Sequence, residues 1–177
     1  MIKHFLLLAL SVMVFNACSQ APSTTPAKPA TPAEAPKPPA YASTKEGWLV
    51  DLDEAYAVSH KSGKPIMANF TGSDWCGWCK KLDADVFSKP EFQEWAKENV
   101  VLLELDFPRR FQIPEKNRGQ NAAMQQALKV TGYPTIWVLN LNKDAASGQY
   151  QIDALGKTGY TPTPDQFIAT VDKFVNP

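Results

Sequence analysis

Trp75-Cys76-Gly77-Trp78-Cys79-Lys80 places two thiols two positions apart, directly after Pro65-Ile66-Met67-Ala68-Asn69-Phe70, which reads as a buried strand. If a helix starts at Cys76, its sulfur lies at the helix N-terminus. There the unpaired N–H groups and the dipole stabilise a thiolate. Cys79 then sits one turn on, within disulfide reach. The spacing is compatible with a redox dithiol, with a small structural disulfide, or with part of a metal or haem site.

Ligand arithmetic weakens two of these readings. A structural zinc site wants four ligands, and outside the N-terminal segment the soft ligands on offer are Cys76, Cys79 and His60. Covalent haem attachment needs His after the second Cys, and Lys80 stands there. A fixed disulfide closing so small a ring adds little stability compared with one closing a long loop. The dithiol is therefore expected to be redox-active, with no metal and no cofactor.

The third cysteine, Cys18, lies outside any expected core. Lys3 and His4 form a short positive region before an apolar run from Phe5 to Phe15. That run suits a signal peptide and is too short to span a bilayer. Phe15-Asn16-Ala17-Cys18 resembles a bacterial lipoprotein lipobox, although Phe15 stands where that pattern prefers Leu. The resemblance implies a signal peptide over 1–17, a lipidated Cys18 and export, and Ser19 lacks an acidic retention signal. The expected location is the periplasm, tethered to a membrane, with the outer membrane as destination. Export places the thiol pair where disulfides persist.

Residues 18–45 read as a flexible linker. Seven of the 27 residues from Ser19 to Lys45 are proline, and apolar periodicity is missing. Such a tether reaches up to roughly 80 Å. Lys plus Arg and Asp plus Glu balance at 18 each, so nothing suggests a nucleic-acid partner.

Residues 46–177 are expected to form one α/β domain. The pattern predicts a short strand over Trp48–Leu52 and a helix over Asp53–Ser62 capped by Asp51 or Asp53. A strand follows over Ile66–Phe70, then the helix opened by Cys76. Ser88-x-x-Glu91 has the spacing of a capping box. Further elements are a strand over Val100–Leu105, a helix over Asn121–Lys129 and a strand over Thr135–Leu139. A turn over Asn140–Gly148 leads to a strand over Tyr150–Leu155. A last helix is opened by Thr163 and Pro164.

This order, with Trp75-Cys76-x-x-Cys79 and, about 55 residues on, Gly132-Tyr133-Pro134-Thr135, resembles the thioredoxin-like superfamily. It is similar to its exported bacterial members related to the C-terminal domain of the transmembrane thiol:disulfide interchange reductase. The resemblance spans 46–177 and implies a central mixed β-sheet flanked by helices. It implies a thiol–disulfide oxidoreductase with Cys76 as nucleophile and Cys79 as resolving thiol. Pro134 is then a cis-proline, with Tyr133 and Trp75 as substrate-contact residues, and Trp78, where many relatives place Pro or His, reads as a substrate-contact or a packing residue. The implied partners are disulfide-containing exported proteins and a membrane thiol–disulfide electron donor. The Gly77-Trp78 pair lacks the His of strongly oxidising relatives, which favours reduction or interchange. An oxidase or isomerase, or a non-catalytic binding module on this scaffold, are the rival readings.

The sequence departs from the pattern at Asn69, where relatives often carry a buried Asp that takes the resolving thiol's proton. An amide cannot act as a base. Asp74 and Glu104 are the substitutes to test. Lys80 and Lys81 are placed to favour the thiolate. The basic stretch from Phe107 to Gly119, with Arg109, Arg110, Lys116 and Arg118, reads as a solvated loop or a docking surface, and His60 as an exposed residue near a helix end.

Overall fold

A computed structural model describes residues 41–177. The segment read as a signal peptide, Cys18 and most of the segment read as linker lie outside the described residues. No helix among the described residues is long and apolar enough to cross a membrane.

The elements are α1 (Leu52–Ser62), β1 (Ile66–Thr71), α2 (Gly77–Leu82), α3 (Pro90–Asn99), β2 (Val101–Asp106), α4 (Glu115–Ala127), β3 (Thr135–Lys143), β4 (Tyr150–Thr158) and α5 (Pro164–Val175). A π-helical turn, Asp83–Phe87, continues α2. The strands form one mixed sheet in the order β2-β1-β3-β4. β1 pairs parallel with β2 and antiparallel with β3, and β3 pairs antiparallel with β4.

β1 is buried along its whole length, which accounts for its continuous apolar run. Alternation splits its side chains between two cores. Ile66, Ala68 and Phe70 face Leu52 and Ala55 of α1, Met124 of α4, and Leu103 and Leu105. Met67 faces Leu82, Val86, Phe87 and Phe92, with Ile136, Val138 and Phe167. Asn69 shares the second face by alternation. Glu104 does too, because it is the register partner of Asn69 on β2. The α2 side of the sheet thus carries the buried polar pairs Asn69–Glu104 and, two positions on, Thr71–Asp106.

Several elements differ from the sequence reading for local reasons. The strand expected over Trp48–Leu52 reduces to one parallel bridge, Leu49 to Leu103. Asp51 ends it by capping α1: its carboxylate accepts the N–H groups of Asp53 at 2.9 Å and Glu54 at 3.2 Å. Gly63, at φ 74°, closes α1 in the left-handed conformation that glycine adopts freely. The Ser88–Glu91 capping box does not form. Ser88 instead closes the π turn, its N–H bonding the Asp83 carbonyl at 2.9 Å and its hydroxyl that of Ala84 at 3.1 Å. Lys89 is left as the N-cap of α3, without a side-chain bond.

α4 begins at Glu115, six positions before the expected start at Asn121. Its sheet-facing residues before Met124 are polar, so apolar periodicity does not mark them. Asn117 and Asn121 are buried and donate to the carbonyls of Val50 and Asp106, each at 2.9 Å. Strands β3 and β4 run on to Lys143 and Thr158, which shortens the expected turn. Thr163 caps α5 with Pro164 in its first turn, as the sequence indicates.

Candidate redox site

Cys76 and Cys79 form a disulfide at the start of α2, and each is 6% exposed. The two are equally covered in this oxidised state, so depth does not distinguish them; position does. Cys76 is the N-cap of α2, in extended conformation, and its Sγ accepts the Cys79 N–H at 3.2 Å. That bond is the concrete form of thiolate stabilisation at a helix start. Cys79 lies inside the first turn and is buried.

The loop that delivers Cys76 is held by hydrogen bonds. The N–H groups of Trp75 and Cys76 both donate to the Gly72 carbonyl, at 3.2 and 2.8 Å. Asp106, buried at the end of β2, accepts the Ser73 N–H at 2.8 Å and the Ser73 hydroxyl at 2.6 Å. Asp74 reaches across to the loop after β2, accepting the backbone N–H groups of Arg109 and Arg110. Desolvation alone would raise the Asp74 carboxyl, but these backbone bonds outweigh it and hold the carboxyl below its usual range. Asp74 is therefore a loop clamp. The Lys80 ammonium caps the Asp74 carbonyl at 3.0 Å, and Lys81 pairs with Asp85 at 2.8 Å. Lys81 is thus drawn down the helix to Asp85, contrary to the role expected for it beside Cys76.

Trp75 joins the two motifs. Its indole N–H donates to the Phe107 carbonyl at 2.8 Å, and its ring meets Tyr133 edge-on at 5.7 Å. The Tyr133–Pro134 peptide bond is cis. The Tyr133 hydroxyl accepts from Gln125 at 2.7 Å, and its ring also lies 5.3 Å from that of Phe107. Burial pushes the Tyr133 phenol up, against the lowering effects of Gln125 and Arg109. A Cβ at Gly72 would lie 2.5 Å from the Trp75 ring, so only glycine admits the indole there. Trp78 is 60% exposed on the outer side of α2, its ring 5.1 Å from that of Tyr160.

Beneath Cys79 the surroundings are polar. Cys79 and Asp83 lie one turn apart on one helix face, joined by the Asp83 N–H to Cys79 carbonyl bond. The Lys45 ammonium is 4.0 Å from Asp83 Oδ1 and is hydrogen-bonded to Glu104, whose other oxygen accepts the Ser43 hydroxyl at 3.0 Å. Burial pushes the Lys45 ammonium's pKa down, opposed by the charges of Asp83 and Asp106. Beside Glu104, the Oδ1 atoms of Asn69 and Asp83 are buried with no hydrogen-bond partner. Ser43 and Lys45 fall in the stretch read from sequence as linker. Their part in the site, like that of Asp106, carried no motif.

His60 is exposed at the end of α1 and stacks on Tyr56 at 5.6 Å. Lys116 and Arg118 lie on α4 rather than in a loop, and pair with Asp51 and Asp53 and with Glu115. Among the described residues no group of three His, Cys, Asp or Glu side chains is placed to hold a metal.

Residues 47–140 match a family model described as thioredoxin-like. The chain is 39% identical over 83 residues to the disulfide bond reductase DsbH of Chlamydia pneumoniae, covering 47% of this chain and 50% of that protein. It is 34% identical over 110 residues to the thiol:disulfide interchange protein DsbD of Klebsiella pneumoniae, covering 62% of this chain and 16% of that one. The chain thus spans half or less of the length of these relatives. A solved DsbH oxidoreductase superposes with a TM-score of 0.62 at 29% identity, over 81% of this chain and 92% of the other. A Thermus thermophilus thioredoxin, at 17% identity and a TM-score of 0.51, over 71% of this chain and 84% of that one, shares the fold. With its Cys-x-x-Cys at a helix start and a cis-proline loop beside it, the chain belongs to the thioredoxin-like family.

Proposed function

We propose that this protein is a thiol–disulfide oxidoreductase that reduces or interchanges disulfides of exported proteins. The observation carrying the reading is the Cys76–Cys79 pair, with Trp75 linking it to the cis Tyr133–Pro134 loop. In the reduced protein the Cys76 thiolate attacks one sulfur of a substrate disulfide. A mixed disulfide forms, and the other substrate sulfur leaves as a thiolate and takes up a proton. Cys79 then loses its proton and attacks Cys76 Sγ. The Cys76–Cys79 bond closes and the second substrate sulfur is released as a thiol. The substrate gains two electrons and two protons; the Cys76 thiolate and Cys79 thiol supply both electrons and the Cys79 proton, and solvent supplies the other proton. A membrane thiol–disulfide donor restores the dithiol.

A buried thiol needs a base for the second step. Glu104 fits better than Asp74, whose oxygens hold the Arg109 and Arg110 backbone. Lys45 lies between Glu104 and Asp83, so it keeps one carboxylate partner while the other serves the thiol. Tyr133 and Pro134 offer backbone for a substrate strand, with Trp75 and Trp78 at its flanks. The domain is exported to the periplasm, with 1–17 as signal peptide, 18–45 as tether and Cys18 as the lipidated residue that fixes it to the outer membrane. The name of the DsbH relative, a disulfide bond reductase, supports the reductive direction, and that of DsbD supports interchange.

The direct test is Cys79→Ala in the native host. Mixed disulfides trapped on Cys76 are expected, and their absence, with no turnover of protein disulfides by the wild type above the dithiothreitol background, would overturn the reading. Equilibration with glutathione reports the direction, and a strongly oxidising potential would sink the reductase assignment. Cys18→Ala is expected to move the protein from the membrane to the soluble fraction, and unchanged fractionation would count against lipidation.

A further inference from the structure

Two arginines in the loop that packs on Trp75 form no salt bridge with any described residue. Among the described residues, ion pairs engage Lys45, Lys81, Lys116, Lys143 and Arg118, but neither Arg109 nor Arg110. Both are exposed, in the loop between β2 and α4. Arg109 is nevertheless held in place. Its N–H is bound by Asp74, and its guanidinium carbon lies 3.6 Å from the centroid of the Trp75 ring, one residue from Cys76. Stacking leaves the edges of a guanidinium free to donate. A side chain fixed before its partner arrives loses less entropy on binding.

The same loop walls a cleft of about 320 Å³ lined by Phe107, Arg109, Phe111 and Ile113, with Arg118 and Asn121 from α4. Asp106 also borders it, but both its oxygens are engaged by Ser73. The Arg118 guanidinium is paired with Glu115. Asp106 is buried and Arg118 is paired, so the exposed charged group without a salt bridge at the mouth is the Arg109 guanidinium, and the exposed ring of Phe111 gives the cleft an apolar lip.

We propose that this cleft selects substrates whose reacting cysteine is flanked by a carboxylate side chain, which Arg109 engages while the peptide lies against Tyr133 and Pro134. The inference rests on the reading of Cys76 and Cys79 as a reducing dithiol and names the substrate class of that same site. A peptide fits better than an anionic membrane surface. Arg109 lies down on Trp75 beside the disulfide, and a bilayer seated there would cover Cys76.

The test uses the reduced protein and two peptides, each a mixed disulfide with mercaptoethanol, differing only by Glu or Lys two residues before the cysteine. Dithiothreitol serves as reductant. For one exposed ion pair, wild type is expected to favour the Glu peptide by about two- to five-fold in kcat/KM at low salt. High salt should remove the preference. Arg109→Glu should invert the ratio toward the Lys peptide. A ratio survives a general loss of activity, so damage to the Trp75 stack does not mask the result. A wild-type ratio near one, or a Glu preference that persists in Arg109→Glu, overturns the proposal. So does a ratio near one accompanied by Arg109-dependent sedimentation with phosphatidylglycerol vesicles, which would assign the loop to lipid. Failure to reduce either peptide would instead overturn the oxidoreductase reading.

Discussion

Around Cys76 the molecule is aromatic and open, with Trp75, Trp78, Tyr133 and Tyr160 meeting in pairs and Trp78 mostly in solvent. One helical turn below Cys79 it is polar and closed, with Asn69 at 3% and Glu104 at 5% exposure around a Lys45 ammonium. The same six-residue motif separates the two. The rim is built from rings that present area and stay rigid, which suits recognition of many sequences. The floor is built from charges whose desolvation is tolerable only because they face one another. The rim should therefore tolerate substitution in stability and register it in activity. The floor should register it in both.

Lys45→Met tests the floor most severely. It leaves Glu104 buried with Ser43 as its remaining side-chain partner, and removing one partner of a buried pair destabilises by about 3 kcal/mol. Urea unfolding at pH 7 reads this. Replacing both residues, as Lys45→Met with Glu104→Leu, removes the orphaned charge and should regain most of the loss. If the double variant is as unstable as the single, the pair is structural in some other way and the contrast with the rim fails.

Glu104→Gln isolates chemistry from charge burial. A positioned base contributes on the order of 100-fold to a proton-transfer step. Release of substrate from the mixed disulfide should slow toward that extent, with the first attack by Cys76 little changed. The deficit should shrink as pH rises, because hydroxide then removes the thiol proton without a positioned base. A deficit equal in both steps, or one insensitive to pH, would return the role of Glu104 to packing.

The two regions were unequally legible in the sequence. Cys76, Cys79 and Pro134 carry local chemistry, a thiol pair and a proline after an aromatic, so their spacing announces them. Asp51 and Thr163 do the same for helix starts. The floor has no such signature. Glu104 is one carboxylate in an apolar strand, and its partners Ser43 and Lys45 lie 61 and 59 residues away in the chain, inside a stretch whose composition reads as linker. α4 was half hidden for a related reason: Asn117, Gln120 and Asn121 face inward because they hydrogen-bond carbonyls and each other. An amphipathic pattern counts only apolar residues. Polar groups that are buried because they are paired become visible when the pairing is.

Gly72→Ala carries the comparison to the rim at moderate strength. The added Cβ would meet the Trp75 indole at 2.5 Å, and that ring is clamped by the Phe107 carbonyl and Arg109. Something must shift. Overpacking of this kind destabilises by about 1–3 kcal/mol in a closed core, and the low end applies to an open rim. Trp75 emission should change, and kcat/KM for peptide disulfides should fall by more than the stability loss suggests, because the ring flanks the nucleophile. Full activity in a folded Gly72→Ala protein would mean that the position of Trp75 does not matter.

The smallest expected effect lies at the outer edge of the rim. The Tyr160 hydroxyl donates to Asp85 at 2.8 Å, the carboxylate also takes Lys81 at 2.8 Å, and the Tyr160 ring carries Trp78. The Asp85 carboxyl is held below its ordinary 3.8, first by Lys81 and then by Tyr160. A carboxyl depressed in the native state contributes stability above its unfolded value, and that contribution is lost as pH falls through the lower native one. Trp78 emission should thus be flat from neutral pH down to about 4 and change only below that. Asp85→Asn should show the altered emission already at neutral pH, with urea unfolding close to that of wild type. A transition centred well above pH 4 would show that another group sets the Tyr160 contact. A large stability loss in Asp85→Asn would make the outer rim as dependent on its charges as the floor, and the division between the two sides of the disulfide would not hold.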